Sequence, residues 1–252
     1  MSLASTIRNS SALRVLQNAT APLLRRMPVE SWPWAAGKVQ LVRVPKSIRT
    51  LPEEAPVGPA NTSIIFDLLA QAVKLDGDLA ECGVWEGATL VPTALYLRQH
   101  RIGKRIHGFD SFVGFDASIA KDLELGGAED PTKRVGGFSN TSLALVQSKL
   151  RRFGVQDVVT LYDGFFKETL PRAADQTFCF VHLDCDIYES YKTTLEFFYP
   201  RMVRGGVILL DEYDDPPWPG CNLAVDEFLA GKPETLRVAR SHNQLKYYLV
   251  KA

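Results

Sequence analysis

Apolar positions along the chain form short strand-length runs separated by stretches of helical spacing. Asp78–Cys82, Arg105–Phe109, Val158–Tyr162, Phe178–Leu183 and Val207–Leu210 are the runs. Between and around them, Ile64–Val73, Ala88–Gln99, Thr141–Phe153, Tyr188–Phe198 and Leu223–Leu229 carry the helical pattern. Asn61-Thr62-Ser63 offers an N-cap to the first helix, and Gly205-Gly206 introduces the fifth strand. Leu236–Ala239 and Gln244–Val250, about a turn at Ser241-His242-Asn243, read as a hairpin. Five strand–helix alternations closing on a hairpin predict an α/β fold, a doubly wound, mainly parallel sheet with an antiparallel edge. The stretch from Asp110 to about Asn140 is long and irregular, which suits a lid over a site.

The first sixty residues break this rhythm. Six prolines between 28 and 60 indicate an extended arm, so the chain divides into an arm, 1–60, and a domain, 61–252. Residues 1–29 carry four arginines and no acidic side chain. They read either as a targeting presequence or as a basic amphipathic helix that packs on the domain or a second subunit. Substrate or oligomer contacts, in a dimer, are expected of the arm.

Composition removes several function classes. The 252 residues are 46% hydrophobic and 23% charged, enough for a sizeable core and too ordered for a disordered chain. Twenty-nine basic side chains balance twenty-nine acidic ones, so electrostatics gives no reason to expect nucleic acid. The four cysteines, Cys82, Cys179, Cys185 and Cys221, have neither zinc nor disulfide spacing. No apolar run approaches membrane-spanning length. A cytoplasmic enzyme with a small-molecule partner is the expectation.

In such sheets ligands bind at the carboxyl ends of the strands, and each parallel strand here ends in an acidic residue: Glu81, Asp110, Asp163, Asp184 and Asp211-Glu212. The turn Glu81-Cys82-Gly83-Val84-Trp85-Glu86-Gly87 has glycines that admit a ligand to the backbone, yet it is neither the dinucleotide fingerprint nor a P-loop. An acidic base and no phosphate cradle suit a cationic nucleoside such as S-adenosylmethionine. Asp110 could accept a ribose diol or cap the next turn, and Asp163-Gly164 could border an adenine or simply turn the chain. Neighbouring parallel strands lie about 4.8 Å apart, so Asp184 and Asp211 should share a crevice. Packed carboxylates need a cation, and oxygen ligands favour Mg²⁺, Ca²⁺ or Mn²⁺. Asp186 reads as a helix cap. His182, on the same side as Asp184 by strand alternation, is a base or a core histidine. Trp32, Trp34 and Trp218 line a substrate mouth or pack.

Several longer stretches carry a family resemblance: Gly77 to Gly87, Asp110-Ser111-Phe112-Val113-Gly114-Phe115, Phe165 to Pro171, Leu183 to Ser190 and Gly205 to Tyr213. The chain resembles the macrocin O-methyltransferases, sugar O-methyltransferases that tailor macrolide and aminocoumarin antibiotics. The resemblance implies a class I, Rossmann-like methyltransferase fold with a seven-stranded sheet, using S-adenosylmethionine and Mg²⁺ on a sugar or other vicinal-diol acceptor. Its ligand pattern maps onto Asp184, Asp211 and Glu212. Its cofactor pattern maps onto Thr62, Ser63, the turn Glu81, Cys82, Gly83, Val84 and Trp85, then Asp110 with Ser111, Ser142, and Asp163-Gly164. Asp184 is the expected proton acceptor and His182 the second choice. Cys185 stands where the family usually has glycine, Glu212 where it usually has aspartate, and the arm matches poorly. A nicotinamide dehydrogenase and a non-catalytic scaffold are the competing readings.

Overall fold

The computed structural model describes residues 59–126, 132–241 and 244–252, with side chains from Ser63 onward. The N-terminal arm, with Trp32 and Trp34, and the hairpin tip at His242 and Asn243 therefore lie outside the described residues. In chain order the elements are α1 (Pro59–Ala72), β1 (Asp78–Cys82), α2 (Leu90–Gln99), β2 (Ile106–Asp110), α3 (Ala120–Glu124), α4 (Leu143–Arg152) and β3 (Val159–Asp163). They continue with α5 (Phe166–Thr169), β4 (Phe178–Leu183), α6 (Tyr188–Phe198), β5 (Met202–Leu210), α7 (Pro219–Leu229), β6 (Arg237–Ser241) and β7 (Gln244–Val250).

The seven strands run in the order β3-β2-β1-β4-β5-β7-β6. The first five are parallel, and β7 lies antiparallel to both β5 and β6. Chain order reverses between β1 and β4, where crossovers leave toward opposite faces and open a crevice. Register brings the strand ends level there: Cys82 pairs with Leu183, and Leu183 with Leu210. The residues that follow, Gly83, Asp184 and Asp211, stand side by side as a result.

Both faces of the sheet are covered, which is why its central strands read as unbroken apolar runs. On one face Leu79, Ile106 and Leu209 meet Leu69 of α1, Leu90 and Leu97 of α2, and Val146 of α4. On the other, Ala80, Val181, Leu183 and Ile208 meet Tyr191, Leu195 and Phe198 of α6 and Val225 of α7. All four cysteines are buried free thiols. No helix among the described residues is long and apolar enough to cross a membrane.

Several boundaries differ from the pattern-based expectation, most by one or two residues; α7 begins four residues early, at Pro219, and two other differences have a clear physical reason. Helix α1 already begins at Pro59, so Asn61-Thr62-Ser63 lie inside it instead of capping it; proline at a first helical position sacrifices no hydrogen bond. Strand β5 begins at Met202 and runs through Gly205-Gly206. Its pairing with β4 is irregular there, and a Cβ on Gly206 would stand 2.9 Å from the carbonyl oxygen of Val203. The glycines make a bulge inside the strand.

Candidate active site

The turn after β1 is held from two sides. Gly83 has φ +87°, and a Cβ there would stand 1.6 Å from the carbonyl oxygen of Asp184. The missing side chain admits the neighbouring strand's backbone. Gly87 takes φ +79°, and a Cβ there would only touch Val91 and Val146, so the left-handed backbone of the turn into α2 is what calls for glycine. Asp110, at the end of β2, fixes the turn: its Oδ2 accepts the Trp85 N–H at 2.7 Å and its Oδ1 the Phe112 N–H at 2.7 Å. Each carboxylate oxygen accepts more than one hydrogen bond, so Asp110 retains capacity for a diol. Trp85 adopts φ +45°, its carbonyl accepting from Thr141 Oγ1 and its indole donating to Asn140 Oδ1 at 3.2 Å. The turn after β1 and the end of the 110–140 insert thus form one unit.

A cavity of about 410 Å³ opens beside this turn, within the ordinary range for small-ligand sites. Glu81, Gly83, Val84 and Trp85 from the β1 turn line it, with Asp110 and Ser111 from β2 and Gly164 after β3. His182, Asp184, Asp211 and Glu212 complete the same wall. Four expected cofactor residues stand elsewhere. Cys82 alternates to the opposite face from Glu81 and is buried under α6. Ser142 caps α4, its Oγ accepting the Leu145 N–H at 3.1 Å. Asp163 is exposed, and Ser63 lies off the wall, where α1 contributes Ile65. Thr62 falls within α1, and its side chain is outside what is described.

The acidic centre is formed where β4 and β5 end. One ligand atom from each of His182, Asp184 and Asp211 falls within 4.8 Å of the others. His182 Nε2 lies 3.3 Å from Asp211 Oδ1, and His182 Nδ1 is buried with no hydrogen-bond partner among the described residues. Lys246, from β7, donates to Asp211 Oδ2 at 2.6 Å and to its carbonyl oxygen at 2.8 Å. Glu212 lies close enough to Asp184 for each to influence the other's charge. Its Oε2 accepts the Tyr191 hydroxyl at 2.5 Å and the Asp186 N–H at 3.2 Å. The expected trio is therefore split: Asp184 and Asp211 group with His182, while Glu212 is drawn toward α6.

Burial and mutual repulsion set the protonation here. Burial, then neighbouring carboxylates, raise Asp184 and lift Asp186 and Glu212 far above the ordinary range. Burial pushes Glu81 up to about 8. Asp211 is the exception: burial would raise it, but the Lys246 ammonium and His182 outweigh that and hold it well below the usual value. His182 itself is lowered by burial and raised more by Asp211 and Asp184, with a net upward shift.

The insert covers the cavity. Phe115, Phe138 and Trp218 meet with ring centroids 5.6–6.2 Å apart around Ile119 and Ile187. Asp122 of α3 accepts the Tyr188 N–H at 3.0 Å, so the cap of α6 comes from the insert and not from Asp186. Asp186 instead takes φ +60° and faces the cavity. Lys133 donates to the Pro217 carbonyl and lies 4.8 Å from the Trp218 ring centroid. Lys246, Asp122 and Lys133 escaped the sequence reading; only the lone charge of Lys246 in an apolar strand was a visible signal.

Residues 63–238 match the family model described as macrocin-O-methyltransferase (TylF), more than half of the chain. The chain belongs to the macrocin O-methyltransferase family. Within that family it is 33% identical over 159 residues to the demethyldecarbamoylnovobiocin O-methyltransferase of Streptomyces niveus, covering 62% of this chain and 60% of that protein. It is 32% identical over 159 residues to the mycinamicin III 3''-O-methyltransferase of Micromonospora griseorubida, covering 60% of each. The matched part thus spans about three-fifths of these relatives' length. The solved structure of the O-methyltransferase NovP superposes with TM-score 0.66 at 27% identity, over 76% of this chain and 81% of that one. The calicheamicin methyltransferase CalS11 gives TM-score 0.69 at 23% identity over 96% and 93%, a likeness of fold. The class I methyltransferase fold expected of a macrocin O-methyltransferase is the one observed.

Proposed function

We propose that the chain is an S-adenosylmethionine-dependent O-methyltransferase that acts on a hydroxyl of a sugar or other vicinal-diol acceptor with the help of Mg²⁺. One observation carries the reading: the Asp110-anchored turn and the Asp184–Asp211 carboxylates open into a single cavity. S-adenosylmethionine supplies an electrophilic methyl group. For its binding, Asp110 has acceptor capacity for a ribose diol, and Glu81 provides an acidic base to the turn beside it.

The centre also fits a divalent ion. Its donors are mainly carboxylate oxygens, a hard set. The 4.8 Å envelope is within the ~5 Å spanned by two Ca²⁺–oxygen bonds, and the side chains would close in by about half an ångström to reach the ~4.2 Å of two Mg²⁺–oxygen bonds. Asp184 and Asp211 would hold it, with His182 or Glu212 as third partner; such an ion stabilises a deprotonated acceptor oxygen. Asp184 is placed to take the hydroxyl proton, because His182 Nε2 is engaged on Asp211. The aromatic insert keeps bulk water from the reacting groups and orients the acceptor. Family membership speaks against the dehydrogenase reading.

The test is transfer of a labelled methyl group from S-adenosylmethionine to a panel of glycosides and simple diols, with and without a chelator. Transfer to at least one diol, lost on chelation and restored by Mg²⁺, is expected. Chelator-resistant transfer refutes the metal's part. Failure to bind S-adenosylhomocysteine in a calorimeter refutes the enzyme reading and favours a scaffold.

A further inference from the structure

Lys246 is a buried charge that the proposed reaction does not use. Strand β7 lies antiparallel to β5, with Tyr247 opposite Leu210, so Lys246 stands next to Asp211. Only 7% of the residue is exposed, and its ammonium contacts both the Oδ2 and the carbonyl oxygen of Asp211. A buried ammonium persists only where it is paired. Here it is paired to the carboxylate that His182 touches from the other side. Asp184 and Glu212 lie within electrostatic reach of the same ammonium. Repelling carboxylates are thereby packed together with a cation that belongs to the chain.

We propose that Lys246 is the centre's built-in counterion, neutralising Asp211 in the absence of a divalent ion and competing with such an ion for that carboxylate. A divalent ion bound to the Oδ1 of Asp211 would lie within about 7 Å of the Lys246 ammonium if that group stayed in place. Like charges at that separation in a partly dry site repel strongly. Lys246 therefore sets how weakly the centre holds its ion, and an empty centre remains folded and charge-balanced.

The proposal rests on reading the carboxylates as a cation site, and its readout is Mn²⁺ affinity in the full chain without donor or acceptor. Calorimetry and the electron paramagnetic resonance of free Mn²⁺ report it. Lys246→Met should tighten Mn²⁺ binding at least tenfold, and Lys246→Arg, which keeps the charge, should stay within about threefold of the parent. Lys246→Gln, which keeps a hydrogen-bond donor for the Asp211 carbonyl, gives the same comparison should the methionine variant not fold. Equal or weaker binding by the neutral variants overturns the proposal, as does Mn²⁺ binding by none of the proteins. A chain that binds Mn²⁺ by this rule yet transfers no methyl group overturns the activity and leaves the counterion standing.

Discussion

The carbonyl oxygen of Asp184 fills the space that a side chain on Gly83 would need, lying 1.6 Å from an ideal Cβ there. Two strand ends, one carrying the Asp110-anchored turn and the other the acidic centre, are thereby locked at a fixed separation. Gly83 also holds φ +87°, where an L side chain is strained by itself. Gly83→Ala is predicted to destabilise the protein by at least about 3 kcal/mol, lowering the melting temperature by roughly 10 °C. Thermal unfolding followed by circular dichroism checks this; a variant that melts with the parent removes the claim that these strand ends are sterically coupled.

Glu81 predicts a pH-dependent stability. Its folded pKa of about 8 lies above the ordinary 4.5, so the folded chain keeps a proton that the unfolded chain releases. The sign follows: stability is complete below about pH 4.5, falls as pH rises toward 8, and levels off beyond. At about 1.4 kcal/mol per pH unit, the shift from 4.5 to about 8 corresponds to up to about 5 kcal/mol. Glu81→Gln should thus match the parent within about 1 kcal/mol at pH 5 and exceed it by several at pH 9, in urea titrations without ligand. At pH 9, where Glu81 is ionised, the same variant should bind S-adenosylhomocysteine at least tenfold more weakly, since the carboxylate at the base of the turn is lost. A variant without the gain at pH 9 shows that burial does not hold Glu81 protonated.

The sequence disclosed what repeats locally and concealed what depends on register. Phe178–Leu183 and Tyr188–Phe198 are read to the residue because a strand buried on both faces is uniformly apolar and a helix on its flank is periodic. Most of the acidic residues at the ends of the strands line the same cavity, and alternation placed His182 beside Asp184. Helices α3 and α5, of five and four residues, are too short for periodicity to register. Lys246 reaches Asp211 only through the antiparallel pairing of β7 with β5, 35 residues apart in sequence. Asp122 caps a helix 66 residues away, a contact no local pattern encodes. Gly83 shows the ambiguity of a glycine most clearly: a missing Cβ looks the same whether it admits a ligand or another strand's carbonyl.

The aromatic cover predicts a split between acceptor and cofactor. Trp218 packs against Phe115 and Phe138 and reaches the Asp110-anchored turn only through Phe138, whose ring lies 6.2 Å from that of Trp85. Trp218→Ala should raise the acceptor KM about tenfold, through the loss of buried aromatic contact, with S-adenosylhomocysteine affinity changed less than twofold. Steady-state kinetics and calorimetry measure the two. Equal weakening of both ligands contradicts this division, because it means the insert orders the whole cavity and not the acceptor side alone.

Asp184 and Asp211 predict different failures. Asp184 forms no ion pair among the described residues and lies within electrostatic reach of Glu212. Asp184→Asn keeps the shape but loses the proton acceptor, so kcat should fall by about 10³-fold, while Mn²⁺ affinity falls only as far as one ligand allows. Asp211→Asn leaves the Lys246 ammonium without its charge partner in a mostly buried place. That should lower stability by about 3 kcal/mol as well as abolish cation binding. Comparing urea unfolding with Mn²⁺ titration separates the cases. If Asp184→Asn unfolds as readily as Asp211→Asn, the first carboxylate is structural, and its assignment as proton acceptor is refuted. If Asp211→Asn is as stable as the parent and still binds Mn²⁺, neither the ion nor Lys246 depends on that residue.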